Sequence, residues 1–234
     1  MEEFHTGFVI FPQLTQLDFT GPYEVLSRLA TPPALDTPSA FAGARTHVIA
    51  RSLDPVVSDR GLALLPTHSF ASAPPLDLIC IPGGPGVIAA LADAATLEFI
   101  RAQGARARYV TSVCMGAFLL GAVGLLQGRR AATHWAFMDL LPLVGARPEP
   151  QRVVRDGHVI TAGGVSAGID FGLAIVAELA GDAVAQAIQL AIEYDPAPPF
   201  DAGHPSRAPE PARALMVQRN AAAHDALRQA LSTA

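Results

Sequence analysis

The stretch Tyr109-Val-Thr-Ser-Val-Cys-Met-Gly-Ala-Phe-Leu-Leu-Gly121 organises the chain. Its first five residues, mostly β-branched or aromatic, predict a short strand over 109–113, and the run 115–123 predicts a helix that starts at once. Cys114 stands at the corner between them, with Gly116 and Ala117 just beyond, where bulk would obstruct a tight turn. A cysteine at a helix N-terminus meets free backbone N–H groups and the positive end of the dipole. Both favour the thiolate, so a lowered thiol pKa and a reactive sulfur are expected. The same pattern also suits an inert core cysteine, since free Cys is among the most buried residue types. The local pattern leaves both readings open.

Working outward, the chain alternates strands and helices. Phe8-Val-Ile-Phe11 is a short apolar run closed by Pro12, as in a buried first strand. A loop over 13–17 leads to Asp18-Phe-Thr-Gly-Pro-Tyr-Glu-Val-Leu26, a helix that Asp18 or Thr20 could cap. Residues 30–43 read as an exposed loop, 46–51 as a second strand, and 56–66 as an antiparallel ribbon around Gly61. Leu76-Asp-Leu-Ile-Cys-Ile81 is a nearly continuous apolar strand that stops at Pro82-Gly-Gly-Pro-Gly86, and helices follow over 87–91 and 95–103. Beyond the central stretch, Arg130-Ala-Ala-Thr-His-Trp135 opens another short strand and helix. Asp156-Gly157 turns a hairpin between 153–155 and 158–162. Gly163-Gly-Val-Ser166 then leads into a helix over 167–179 with Ser166 as its cap. Further helices are expected over 183–194 and 212–231, joined by a proline-rich loop. Such alternation predicts a doubly wound, mostly parallel α/β sheet with ligands at the carboxyl ends of its strands.

Composition narrows the chemistry. The 234 residues, half of them hydrophobic, suit one sizeable domain. A net charge of -5 and no basic run beyond Arg129-Arg130 argue against a nucleic-acid or anionic-membrane partner. A small molecule or a second copy of the chain is the expected partner. All 16 basic residues are arginine, which excludes Schiff-base, pyridoxal and P-loop lysines. The two cysteines, Cys80 and Cys114, form neither a CxxC pair nor a disulfide framework, and the start of the chain lacks the pattern of a secretory signal, so a cytoplasmic setting is expected. The seven histidines show no HExxH or other ligand spacing, and no metal is expected.

Three loops are then brought to one sheet edge by topology: 13–18, 82–86 and the corner at Cys114. Cys114 supplies a nucleophile, and Asp18 a carboxyl group able to move a proton or orient water if burial raises its pKa; its plainer role is a helix cap. Gly83, Gly84 and Gly86 allow close backbone approach and turn N–H groups toward developing negative charge. Cys80, set mid-strand among apolar residues, reads as core, and His134 as either a site or an interface residue.

The segments Leu17-Asp-Phe-Thr-Gly-Pro-Tyr-Glu-Val-Leu26, Ile81-Pro-Gly-Gly-Pro-Gly86, Thr111-Ser-Val-Cys-Met-Gly-Ala117, Ala132-Thr-His-Trp135 and Gly163-Gly-Val-Ser-Ala-Gly-Ile-Asp170, in this order, resemble the DJ-1/PfpI superfamily, and within it the isocyanide hydratases. The match runs from about residue 8 to about residue 200. It implies a flavodoxin-like three-layer sandwich over 1–200 with a nucleophile elbow, and a C-terminal loop and helix over 201–234 packed on the domain or on a partner. It further implies a cytoplasmic homodimer that needs no cofactor and hydrates organic isocyanides to N-substituted formamides. By the same resemblance Cys114 is the nucleophile and Asp18 its acidic partner. Gly83, Gly84 and Met115 offer backbone donors, while Gly163, Val165 and Thr111 line the pocket. Met115 departs from the Thr that such hydratases carry after the nucleophile, removing a hydroxyl from the site, and from the His of the protease-like relatives. Other cysteine chemistry, glyoxalase-like or hydrolytic, and a redox or ligand sensor without turnover are the alternatives. A regulator with two helix-turn-helix motifs would need more than the roughly 35 residues after Phe200.

Overall fold

The computed structural model describes residues 3–30 and 43–233, so most of the loop expected over 30–43 lies outside the described residues. The strands are β1 (Glu3–Val9), β2 (Gly43–Ala50), β3 (Val56–Val57), β4 (Ala63–Leu64), β5 (His68–Ser69), β6 (Leu78–Ile81), β7 (Tyr109–Val113), β8 (Arg130–Ala131), β9 (Arg147–Pro148), β10 (Val153–Asp156) and β11 (Val159–Ala162). Seven of them form one sheet in the order β10-β11-β7-β6-β1-β2-β5, parallel throughout except for the terminal β10–β11 hairpin. The helices are α1 (Gln16–Leu26), α2 (Val87–Ala90), α3 (Ala94–Gly104), α4 (Gly116–Ala122), α5 (Ala167–Ala180), α6 (Asp182–Ala191) and α7 (Glu210–Thr233). Two 3-10 segments, Ser27–Ala30 and Trp135–Val144, complete the elements. One helical layer joins α1 to α5 and α5 to α6; another joins α4 to α2 and α3. This is the doubly wound α/β sheet that the alternation of strands and helices predicted, and the flavodoxin-like sandwich that the resemblance implied.

The central strands β6 and β7 are buried along their whole length, as strands covered on both faces must be. The ribbon expected around Gly61 is present as the antiparallel pair β3–β4. The first strand begins earlier than the apolar run 8–11 because it pairs with β2 from Glu3↔Gly43 to Val9↔Ile49, and alternating burial carries its polar half. The two-residue edge strand β5 is too short to leave a periodic signal. The helix expected after Arg130 is a 3-10 segment, with Pro142 inside it. Helix α7 packs back on that segment: Leu227 is fully buried, and His224 and Arg228 both reach the Asp139 carboxylate at 2.9 and 3.1 Å.

Two contacts set the spacing at the carboxyl edge. On one face Pro22 of α1 lies against Gly168 of α5, which docks the helix carrying Asp18 onto the helix that follows Val165. On the other, Gly116 at the start of α4 sits on the end of β6. A Cβ there would overlap the Ile81 carbonyl oxygen and lie 2.7 Å from that of Pro82. Gly116→Ala must therefore push the elbow away from the Pro82–Gly83 turn. It should lower stability by about 1–3 kcal/mol, read as a fall of roughly 2–4 °C in Tm per kcal/mol; an unchanged Tm would refute the tight approach.

Candidate active site

The site is assembled from three turns that leave β1, β6 and β7, neighbours in the sheet, and a fourth that leaves β11. Cys114 follows β7 directly and has a φ of 55°, in the left-handed region that non-glycine residues rarely adopt. Its backbone is held at both ends. The N–H donates to the carbonyls of Ala162 and Gly163, at 3.1 and 3.0 Å, and the carbonyl accepts the Thr133 hydroxyl at 2.7 Å. Gln13 in the turn before α1 (φ 61°) and Val165 in the turn before α5 (φ 40°) are also left-handed. Strain of about 1–3 kcal/mol per such residue persists where the surroundings over-determine it, typically at functional sites.

Asp18 is fully buried in the first turn of α1. It does not cap its own helix: its Oδ2 accepts the N–H of Gly83 at 2.9 Å, across the sheet edge. Thr15 occupies the cap position and gives its hydroxyl to Asp59 at 3.2 Å. A Cβ on Gly83 would lie 2.5 Å from the Met115 nitrogen and 2.9 Å from both Asp18 Oδ2 and the Cys114 Cβ. Only a residue without a side chain allows these four groups to meet.

Burial pushes the Asp18 carboxyl up from 3.8 to about 7, and the Asp59 charge adds to the rise. The Gly83 N–H and the Cys114 thiol oppose it by stabilising the carboxylate. Burial and the neighbouring Asp18 charge push the Cys114 thiol well above its ordinary value, while the N–H groups of Met115 and Val165, which hydrogen-bond the sulfur, pull it down. The lowered thiol pKa expected of a helix N-terminus is thus overridden. Helix α4 is only seven residues long, and desolvation of a buried anion outweighs its dipole. The thiol and the carboxyl lie side by side, each pushed up by burial, with the carboxyl the stronger acid of the two.

Cys114, Asp18, Gly83, Met115 and Val165 therefore meet at one point, and Gly163 contributes its carbonyl to the elbow. Gly84 (φ 117°) faces away, against the backbone of Gln13 and Thr15. Thr111, placed among the pocket-lining residues by resemblance, spends its hydroxyl on the Ile79 carbonyl at 2.8 Å, inside the sheet. Cys80 is fully buried with its thiol pushed up to about 12, as a core cysteine should be. His134 is held in place from two sides. Its Nδ1 accepts the Ala136 N–H at 3.3 Å, its ring lies over Gly164, and burial lowers its pKa. Ser166 takes the N-cap position of α5 as expected, but without a side-chain cap bond: Arg152 donates to its hydroxyl at 3.2 Å and to Asp170, in the first turn of the helix, at 2.8 Å.

The DJ-1/PfpI family profile matches residues 6–178. The chain belongs to the DJ-1/PfpI family. Its similarity to the isonitrile hydratase of Pseudomonas putida is 53% identity over 203 residues, 87% of this chain and 84% of that protein. A THiJ/PfpI family protein from Pseudomonas syringae superposes with a TM-score of 0.91 at 41% identity, covering 99% of this chain and 91% of that one. Drosophila melanogaster DJ-1beta shares the fold, with a TM-score of 0.67 at 20% identity over 82% of this chain and 98% of that one.

Within this DJ-1/PfpI domain, sequence reasoning missed two contributors. Asp59 reaches the site on the β3–β4 ribbon, which is sewn to the α1 turn by Gln13 N–H to Val57 O and Asp59 N–H to Leu14 O, at 2.8 and 2.9 Å. Its only signal was membership of an expected ribbon. Thr133 was visible inside the Ala132-Thr-His-Trp135 segment but had no distinguishing spacing of its own.

The Asp18 shift fixes a pH dependence of stability. A folded-state pKa raised from 3.8 to about 7 means that the folded protein holds a proton that the unfolded chain releases within this window. The resulting stability is complete below about pH 4, declines as pH rises, and is gone above about 7. Asp18→Asn removes the buried charge. At pH 8 it should be more stable than the parent by on the order of 4 kcal/mol, with the gap closing toward pH 4. Urea unfolding of both proteins across pH 4–8 tests this; parallel pH curves would overturn the assignment.

Proposed function

We propose that this protein hydrates organic isocyanides to N-substituted formamides, with Cys114 as nucleophile and Asp18 as the group that moves protons. The observation that carries the reading is the buried thiol–carboxyl pair, in which Asp18 is pushed to about 7 while the Cys114 thiol is pushed well up. A general base works best with a pKa near the operating pH, and Asp18 meets that condition beside the sulfur it must deprotonate. The similarity to an isonitrile hydratase over most of both chains supports the same reading.

The chemistry balances with the residues present and one water. Asp18 takes the thiol proton as the sulfur attacks the terminal isocyanide carbon, forming a C–S bond and leaving a lone pair on carbon. The protonated Asp18 returns that proton to the carbon, giving a thioimidate. Asp18, again a carboxylate, orients and deprotonates water, whose oxygen adds to the same carbon while the nitrogen takes up a proton. Collapse of the tetrahedral adduct forms the C=O bond, breaks the C–S bond and sends the hydroxyl proton back to sulfur, releasing the formamide. The Met115 and Val165 N–H groups stabilise negative charge on sulfur as it attacks and again as it leaves. A sensor reading is less well supported, because peroxide reacts with thiolate and the resting thiol is held protonated.

The proposed setting is a cytoplasmic homodimer acting on a small molecule. Among the described residues no helix is long and apolar enough to cross a membrane. Leu53, Val57, Leu62 and Leu65 are exposed on or beside the β3–β4 ribbon, an apolar surface suited to a second copy. The domain over 1–200 carries the site in this reading, and the C-terminal helix braces it.

Cys114→Ala should abolish formamide release from an aryl isocyanide while leaving the fold intact; retained turnover would sink the mechanism. Asp18→Asn should lower kcat by roughly 10²–10⁴-fold. For the parent, kcat/KM should rise with pH through a midpoint near 7 as Asp18 loses its proton. A flat profile across pH 5–8 would remove Asp18 from the proton-transfer role.

A further inference from the structure

The segment Ala132-Thr133-His134-Trp135 contributes no group to the proposed reaction, yet it is built tightly against the elbow. The Ala132 N–H donates to the Thr161 hydroxyl on β11 at 2.8 Å, which anchors the segment to the sheet. The next residue, Thr133, is buried and donates its hydroxyl to the Cys114 carbonyl at 2.7 Å. The Ala117 N–H of α4 also reaches that carbonyl, at a long 3.5 Å.

The Cys114 carbonyl belongs to the same planar peptide unit as the Met115 N–H, and the two point in opposite directions across it. Whatever fixes the carbonyl therefore fixes the direction of the N–H that reaches the sulfur. A hydrogen bond accepted at one end of a peptide also polarises the donor at the other. The second donor to the sulfur is arranged in the same way with a different partner. The Val165 N–H shares its peptide with the Gly164 carbonyl, which accepts the Ala167 N–H of α5 at 3.1 Å. That partner is backbone and independent of side-chain identity, whereas Thr133 is the one part of this arrangement that a substitution can remove.

We infer that Thr133 is a positioning residue for Cys114: by holding the Cys114 carbonyl it aims and polarises the Met115 N–H at the sulfur, and so tunes how readily the thiol yields its proton. The inference rests on Cys114 being the reactive group of the proposed hydratase, but not on which substrate it attacks.

The test uses the full chain with Thr133→Val, which keeps the shape and removes the hydroxyl, Thr133→Ala, and Thr133→Ser, which keeps the donor. The rate of Cys114 alkylation by iodoacetamide is followed against pH, with Cys80 buried and unreactive as the internal control. Loss of one polarised hydrogen bond should move the alkylation midpoint upward by about half to one pH unit and slow alkylation at pH 7 by roughly three- to tenfold. With an aryl isocyanide, kcat should fall by a similar factor while KM stays close to that of the parent. Thr133→Ser should restore both. Unchanged alkylation in well-folded Thr133→Val and Thr133→Ala overturns the inference, as does a Thr133→Ser that behaves like Val. Failure of both Val and Ala to fold also overturns it, by assigning the bond to stability alone. If the parent turns over no isocyanide but the alkylation shift is present, the hydratase reading fails and the positioning role stands.

Discussion

The hydrogen bond from the Gly83 N–H to the buried Asp18 carboxyl is the interaction on which the site depends. It crosses from the turn after β6 to the first turn of α1, and so joins the two loops that flank the centre of the sheet. Without it a fully buried carboxyl would have no reason to lie at this depth, since an unpaired buried charge is strongly disfavoured. With one bond the compensation is partial. Asp18 keeps a pKa near neutrality and not near that of an ordinary carboxylate, the condition that the proposed proton transfer requires.

The remainder of the edge serves to keep this pair together. Three non-glycine residues in left-handed geometry, Gln13, Cys114 and Val165, mark the points where the chain is bent against its preference to bring side chains and N–H groups inward. The first two bends are held by hydrogen bonds from elsewhere. The β3–β4 ribbon holds the turn at Gln13, and the carbonyls of Ala162 and Gly163 together with Thr133 hold the elbow. Contact between Pro22 and Gly168 locks the helices on which Asp18 and the Val165 turn depend. Stability is spent in these turns and on a buried acid pair, and it is recovered in the apolar strands β6 and β7 below them.

The electrostatics run opposite to what a thiol at a helix N-terminus suggests in isolation. A short α4 offers a weak dipole, while burial and a neighbouring carboxylate act directly on the sulfur. A thiol held protonated until a base takes its proton is suited to attack on a substrate that fills the site, more than to reaction with small oxidants.

The amino-acid sequence by itself determined the alternation of elements, the near-parallel sheet, the elbow at Cys114 and the loops that would meet it. These follow from local periodicity and turn chemistry, which act over a few residues. Asp18 could be named as a partner of Cys114, but whether its carboxyl caps its own helix or accepts across the sheet edge could not be decided, because both have the same local sequence. Only the tertiary structure decided that Gly83 takes its carboxyl, that Asp59 arrives from the ribbon, that Thr111 is consumed inside the sheet and that Thr133 holds the elbow. The physical reason is that hydrogen-bond partners and desolvation are properties of what surrounds a residue in space, and at this site those neighbours come from parts of the chain tens of residues apart.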